Sequence, residues 1–178
     1  MRSEKIKAVF LDRDGIINKD FGYVHKIGDF EFNDLIFDTC RTFKKQGYEI
    51  IIITNQSGIA RNYFTNDDYI VLNKWMIKSF ANNSVDILEV FHCPHLPESN
   101  CNCRKPKPGM LLNALKKYNI DKSISWMIGD KESDIIAANA AGINNTILVV
   151  NNSENKIKKT KAKFIIESLE KCKEIIDN

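Results

Sequence analysis

Five short runs along the chain are apolar almost without interruption, and amphipathic stretches separate them. Residues 7–12 (KAVFLD), 48–54 (YEIIIIT), 87–93 (ILEVFHC), 125–130 (SWMIGD) and 145–150 (NTILVV) are rich in β-branched and aromatic side chains, which predicts buried strands. Between them, 33–46, 66–81, 108–118 and 132–141 carry helical spacing, and 162–176 predicts a final helix. Gly47 follows the first amphipathic stretch as a helix stop, and Thr65-Asn66-Asp67-Asp68 offers a helix start. Continuous apolar strands separated by helices imply an α/β fold, a parallel sheet covered on both faces. No repeat, linker or second pattern interrupts the alternation, so residues 1–178 are expected to form one domain.

Polar residues collect where these strands end, and ligands of open α/β sheets sit beyond the carboxyl ends of strands. The first run ends in Asp12-Arg13-Asp14-Gly15, the second in Thr54-Asn55-Gln56-Ser57, and the fourth in Gly129-Asp130-Lys131. An isolated Asp-x-Asp at a strand end reads equally well as a turn. Asp130 changes that reading. Three carboxylates at neighbouring strand ends repel unless a cation sits among them, and hard oxygen ligands with open positions describe Mg²⁺. A carboxylate in such a site can also attack phosphorus, given cations and donors to neutralise the phosphate. Lys105 and the hydroxyl of Thr54 are candidates for that task.

The third run leads into CPHLPESNCNCRK, residues 93–105, which holds three of the chain's five cysteines. Cys93, His95, Cys101 and Cys103 supply three thiolates and one imidazole, a complete tetrahedral zinc shell. A closed shell leaves no position for substrate, so a structural zinc is expected, anchoring the peptide that aims Arg104 and Lys105. His92 is the second choice as imidazole ligand. Cys40 and Cys172 fall within helical stretches and read as ordinary thiols.

Composition adds little beyond these patterns. The balance of apolar and charged residues is that of an ordinary soluble protein. The apolar run in MRSEKIKAVFLDRDG is too short for a signal peptide, and no stretch approaches the ~20 apolar residues of a membrane span. A cytoplasmic location is expected, where clustered cysteines bind metal more often than they pair. The net charge is +3, with an excess in KIKKTKAKF (156–164). No aromatic interleaving accompanies that excess, so it reads as a solvated helix start rather than a nucleic-acid surface.

Taken together, FLDRDG, IITN, RKPKPG and IGDKESD resemble the four ordered signatures of the haloacid dehalogenase superfamily of phosphatases. The resemblance spans residues 10–134. It implies a three-layer Rossmann-like parallel sheet, with Asp12 as nucleophile and Asp14 as general acid and then general base. It implies Thr54 and Lys105 as phosphoryl stabilisers, with Asp12, the Asp14 backbone carbonyl and Asp130 holding Mg²⁺, and Asp134 as a helper. Only 39 residues separate Asp14 from Thr54, too few for an inserted cap domain, so a capless, open site is expected.

Within the superfamily, DRDGIINKDFGYVHKIGDFEF, TNQSGIARNYFT, CRKPKPGM and GDKESDI resemble a branch of heptose bisphosphate phosphatases and histidinol-phosphate phosphatases. That resemblance implies substrate contacts from Asp20, Phe21, Gly22, Tyr23, Asn55, Gln56, Ser57, Arg104 and Lys131. Arg61 could meet a distal phosphate or be a plain surface cation. The short cysteine loop leans toward histidinol-phosphate phosphatases, while GYVHKI, QSGIARNYFT and KPGM lean toward heptose. The expected partner is a small sugar phosphate, with no nucleic acid and no membrane, and the protein is expected to be a monomer. A polynucleotide 3′-phosphatase would need a positive groove, and a non-catalytic zinc module would have no use for Asp12, Asp14, Lys105 and Asp130.

Overall fold

The computed structural model describes residues 5–150 and 159–176. Six parallel strands form one sheet in the order β3-β2-β1-β4-β5-β6. They are β1 (Lys7–Leu11), β2 (Tyr48–Asn55), β3 (Ile87–Cys93), β4 (Trp126–Gly129), β5 (Asn145–Val149) and β6 (Phe164–Ile166). The helices are α1 (Ile36–Lys45), α2 (Asn66–Asn82), α3 (Gly109–Lys117), α4 (Glu132–Ala141) and α5 (Glu170–Ile176).

Alternation along the strands divides the core into two layers. Val9, Leu11, Ile50, Ile52, Ile128 and Ile147 point to the side covered by α1, α2 and α5, where Phe43, Leu72, Met76, Phe80 and Cys172 are buried. Ala8, Phe10, Ile51, Ile53 and Met127 point the other way, onto Met110, Leu111 and Ala114 of α3 and Ala137, Ala138 and Ala141 of α4. Small residues on α4 let that helix lie close to the sheet. Strands buried on both faces have no polar side to show, which is why they read as unbroken apolar runs.

Local signals act where the sequence places them. Gly47 takes a φ of +81° after α1, a left-handed geometry that glycine adopts without steric cost. The Thr65 hydroxyl accepts from the Asp68 N–H, and the Asp68 carboxylate accepts from the Thr65 N–H, a reciprocal cap that starts α2.

Two expectations are corrected. The predicted helix over 162–176 is a strand, β6, followed by the shorter helix α5. The short run FII adds a sixth strand to β5, pairing Ile147 with Phe164 and Val149 with Ile166, and this pairing overrides the helical spacing. β3, predicted as buried, is an edge strand that is half-buried along most of its length. Of the basic stretch 156–164, residues 156–158 lie outside the described residues.

The strand order reverses between β1 and β4, whose carboxyl ends deliver Asp12 and Asp130. Such a switch point opens a crevice where neighbouring connections diverge.

Candidate active site

The Asp12 N–H donates to the carbonyl of Ile128 at 3.0 Å, which extends the ladder one residue and sets Asp12 beside the end of β4. Asp12, Asp130 and Asp134 each bring a carboxylate oxygen within 4.8 Å of the others. Lys105 Nζ reaches into this cluster, 2.7 Å from Asp12 Oδ1, 2.7 Å from Asp134 Oδ1 and 2.8 Å from the carbonyl of Ile53. Burial opposes the charge of Lys105, but Asp12 and Asp134 outweigh it and hold its pKa above the ordinary lysine value. Burial and the charge of Asp134 push the Asp12 carboxyl up to about 8, and burial raises Asp130 to about 6.

Lys105 pairs with Asp12 and Asp134, and Lys131 Nζ lies 3.7 Å from Asp130 Oδ2, so three carboxylates face two ammonium groups and the negative charge is only partly compensated. Asp130 Oδ1 is buried without a hydrogen-bond partner. A buried anionic oxygen with no donor is a costly arrangement, and a divalent cation between Asp12 and Asp130 relieves it. Asp134 is already engaged on both oxygens, by Lys105 and by the Lys131 N–H at 3.1 Å. Both of its oxygens thus already meet protein N–H groups. Room for Asp130 depends on Gly15, whose φ is +93°, because a Cβ there would stand 2.2 Å from Asp130 Oδ2.

The side chain of Asp14 turns away from this cluster. Its Oδ1 accepts from Arg13 Nη2 at 2.8 Å, Arg13 Nε at 3.2 Å and Asn18 Nδ2 at 3.0 Å, and its Oδ2 accepts from Gln56 Nε2 at 3.0 Å. With its carboxylate so occupied, its backbone carbonyl is the part left for a metal, as the resemblance implies. Gln56 Nε2 also donates to Thr54 Oγ1 at 2.8 Å, leaving the hydroxyl hydrogen of Thr54 for a phosphoryl oxygen.

Two adjoining hollows open from this centre. One, about 400 Å³, is lined by Asp12, Asp14, Asn55, Arg104, Lys105, Lys131 and Ser133, among others. The second, about 210 Å³, is lined by Asp14, Asp20, Gly22, Tyr23, Asn55, Gln56, Ser57 and Lys131. The expected substrate residues thus converge, with Phe21 and Arg61 outside. Phe21 is exposed and lines a separate hollow with Val24, His25 and Phe30. Asp20 and Lys131 meet at 2.9 Å across the opening, and Tyr23 packs edge-on against Tyr63 with ring centroids 4.8 Å apart.

The amide of Asn55 is committed elsewhere. Its Oδ1 accepts from the Lys105 N–H and its Nδ2 donates to the Lys105 carbonyl, both at 3.1 Å. Asn55 thereby fixes the backbone of the lysine.

Cys93, at the end of β3, pairs in register with Asn55. Its Sγ lies 3.6 Å from Cys101 Sγ and 3.1 Å from Cys103 Sγ, and His95 Nδ1 lies 3.5 Å and 3.2 Å from the sulfurs of Cys93 and Cys103. A tetrahedral shell with metal–sulfur bonds of about 2.3 Å places its sulfurs about 3.8 Å apart, so these four atoms, slightly closer together, are compatible with holding a zinc ion. The thiols are mismatched without a cation. Burial pushes Cys93 up to about 12. Cys101 is lowered to about 6 because the Arg104 N–H and the thiols of Cys103 and Cys93 outweigh its slight burial. His92 is not part of the set. It packs on the ring of Tyr69 at 4.2 Å, and burial lowers its pKa. Arg104 Nη1 donates to the His95 carbonyl at 3.3 Å, which ties the cationic end of the loop to the cysteine cluster.

Comparison with known proteins places this geometry. The family model described as HAD-hydrolase-like matches residues 102–172. The chain is 45% identical over 170 residues to the D-glycero-beta-D-manno-heptose-1,7-bisphosphate 7-phosphatase of Pasteurella multocida, covering 92% of each chain. It is 48% identical to the D-glycero-alpha-D-manno-heptose-1,7-bisphosphate 7-phosphatase of Photorhabdus laumondii, covering 84% of this chain and 85% of that one. The chain belongs to this phosphatase family of the haloacid dehalogenase superfamily. It is a phosphoric monoester hydrolase. A crystal structure of D,D-heptose 1,7-bisphosphate phosphatase from B. bronchiseptica, complexed with magnesium and phosphate, superposes with a TM-score of 0.86 at 27% identity, covering 96% of this chain and 98% of that one.

Arg13 and Asn18, which hold Asp14, were not singled out from the sequence. An arginine between two strand-end aspartates was the available sign, because a buried guanidinium needs a carboxylate.

Proposed function

We propose that the protein hydrolyses the C7 phosphate of D-glycero-D-manno-heptose 1,7-bisphosphate, leaving the anomeric phosphate in place, in nucleotide-activated heptose biosynthesis. The observation that carries the chemistry is the placement of Asp12. Its Oδ1 is held by Lys105 and by the Arg13 N–H at 2.7 Å, and Oδ2 has no donor among the described residues. Oδ2 attacks phosphorus, the bond from phosphorus to the C7 oxygen breaks, and Asp14 gives its proton to the leaving oxygen. In the second half Asp14 takes a proton from water, whose oxygen attacks phosphorus. The Asp12–phosphorus bond then breaks and inorganic phosphate leaves. Lys105 and the Thr54 hydroxyl neutralise the phosphoryl oxygens throughout. Mg²⁺ held by Asp12, Asp130 and the Asp14 carbonyl supplies further positive charge when bound.

Substrate choice follows from the open, capless cleft and its rim. Such a site needs binding energy from the far end of a short substrate to hold the reacting phosphate in place. Arg104 and Lys131 border the hollow over Asp12, and a second phosphate can make charge-assisted bonds to both. Histidinol phosphate presents an ammonium and an imidazole instead, which suit a carboxylate rim. Asp20 is paired with Lys131, while Arg104 makes no ion pair among the described residues and is open to a phosphate. Asp20, Gly22, Tyr23, Gln56 and Ser57 would contact the sugar.

A structural zinc on Cys93, His95, Cys101 and Cys103 completes the reading, in a single-domain monomer acting in the cytoplasm without nucleic acid or membrane. No helix among the described residues is long and apolar enough to cross a membrane. Comparing kcat/KM for heptose 1,7-bisphosphate and histidinol phosphate tests the substrate. Equal or higher efficiency on histidinol phosphate would overturn the heptose reading.

A further inference from the structure

Arg13 is a buried cation next to the nucleophile to which the reaction above gives no task. Its side chain is 3% exposed, and Asp14 is the carboxylate it bonds among the described residues. A guanidinium removed from water needs an anion and filled donors, so this pair is a committed one. The same Nη2 that donates to Asp14 also donates to the carbonyl of Val24 at 2.8 Å, and the guanidinium carbon lies 6.0 Å from the centre of the Phe30 ring. Val24 closes the segment that brings Asp20, Gly22 and Tyr23 to the mouth of the cleft. Val24 is buried in the core and His25 stacks on Phe64 with ring centroids 4.9 Å apart, while the cleft-facing part, with Tyr23 at a φ of +51°, is held by the Asp20–Lys131 pair and the Tyr23–Tyr63 edge contact. Asn18 and Gln56 also hold Asp14, but neither touches residues 20–25 through a hydrogen bond.

We propose that Arg13 is a positioning residue that couples the Asp14 carboxylate to the segment 20–25 at the cleft mouth. The proposal rests on the reading of Asp14 as the proton-transfer group. One planar fork spans both partners, so shifting the segment moves the guanidinium and with it Asp14. Couplings of this kind are reciprocal: if the Asp14 contact supports the Val24 contact, the Val24 contact supports Asp14 to the same degree. Substrate that orders the segment through Asp20 and Tyr23 then aligns Asp14 in the same event. Asp14 would thus be held most firmly when the segment is ordered over the cleft, a task that an inserted cap domain could otherwise serve.

The test uses the zinc- and magnesium-loaded protein and the variants Arg13→Gln, Arg13→Lys and Asp14→Asn. Amide hydrogen exchange over residues 20–26 reads the segment, and kcat and KM on heptose 1,7-bisphosphate and on p-nitrophenyl phosphate read the reaction. Misplacement of a reacting group by a fraction of its length can cost about 10²-fold. We expect Arg13→Gln to lose about that much in kcat on the bisphosphate, to raise its KM, and to quicken exchange in 20–26. Arg13→Lys keeps the charge but reaches only one of the two partners, and should recover part of each loss. Asp14 makes no hydrogen bond to the segment, yet Asp14→Asn should also quicken exchange there. Unchanged exchange in Asp14→Asn would overturn the coupling, and so would a loss of kcat in both Arg13 variants with the segment undisturbed. Should Arg13→Gln fail to fold, the Asp14→Asn exchange decides alone. A wild-type protein active on p-nitrophenyl phosphate but not on the bisphosphate would refute the substrate reading and leave this exchange result valid.

Discussion

Lys105 Nζ stands 2.7 Å from Asp12 Oδ1, with both side chains almost wholly withdrawn from water. The same ammonium contacts Asp134, so it compensates the proposed nucleophile and a helix-start carboxylate together. Replacing Lys105 by Met should lower kcat by about 10²- to 10³-fold, the usual cost of losing a group that stabilises transition-state charge. The variant should also be less stable by about 3–5 kcal/mol in Mg²⁺-free buffer, because breaking a buried pair leaves its anions uncompensated. Steady-state kinetics and thermal melting check the two effects separately.

Mg²⁺ should stabilise the protein more at high pH than at low pH. Asp12 and Asp130 have folded-state pKa values raised to about 8 and about 6, in both cases first by burial. A group raised on folding contributes stability that is fully present below its unfolded pKa, near 4, and lost as pH rises through its folded value. The Mg²⁺-free protein should therefore weaken between about pH 4 and pH 8, as these two carboxyls ionise without a cation. Melting temperatures with and without Mg²⁺, across that range and with zinc retained, should diverge as pH rises.

Gly15→Ala should impair Mg²⁺ binding. The new methyl would both face Asp130 Oδ2 at 2.2 Å and strain a backbone at φ +93°. The strain alone costs about 1–3 kcal/mol, and a displaced Asp130 should weaken the apparent affinity for Mg²⁺ as read from the metal dependence of turnover.

Elemental analysis should find about one zinc per chain in protein purified without chelators. Cys101→Ser should lose that zinc and turnover together, since Arg104 is tied to the His95 carbonyl and Lys105 follows directly. Zinc loss with full activity would contradict the role given to the loop.

The sequence showed the strand ends clearly because strands buried on both faces are apolar until they stop, and Asp12, Thr54 and Asp130 are where they stop. The cysteine cluster was legible for a related reason: its ligands are close in sequence and of an uncommon type. Partner choice was not legible. Asn55 occupies a strand end like a substrate contact, yet its amide clasps the backbone of Lys105, fifty residues away. The bond from Arg13 to the Val24 carbonyl, eleven residues on, has no sequence sign because only the fold brings the two together. β6 was missed because three residues carry too little pattern, and only the free edge of β5 gives them a partner.

The central claim is that Asp12 becomes phosphorylated during turnover, and reductive trapping with borohydride tests it most directly. An acyl phosphate at this position is reduced to homoserine, which peptide mass spectrometry distinguishes from aspartate. Homoserine should appear at residue 12 when the protein is quenched while turning over heptose 1,7-bisphosphate with Mg²⁺, and not without substrate. The Asp12→Asn variant should show neither homoserine nor turnover. An unmodified Asp12 in the quenched wild type, together with near-normal turnover by Asp12→Asn, would contradict the account.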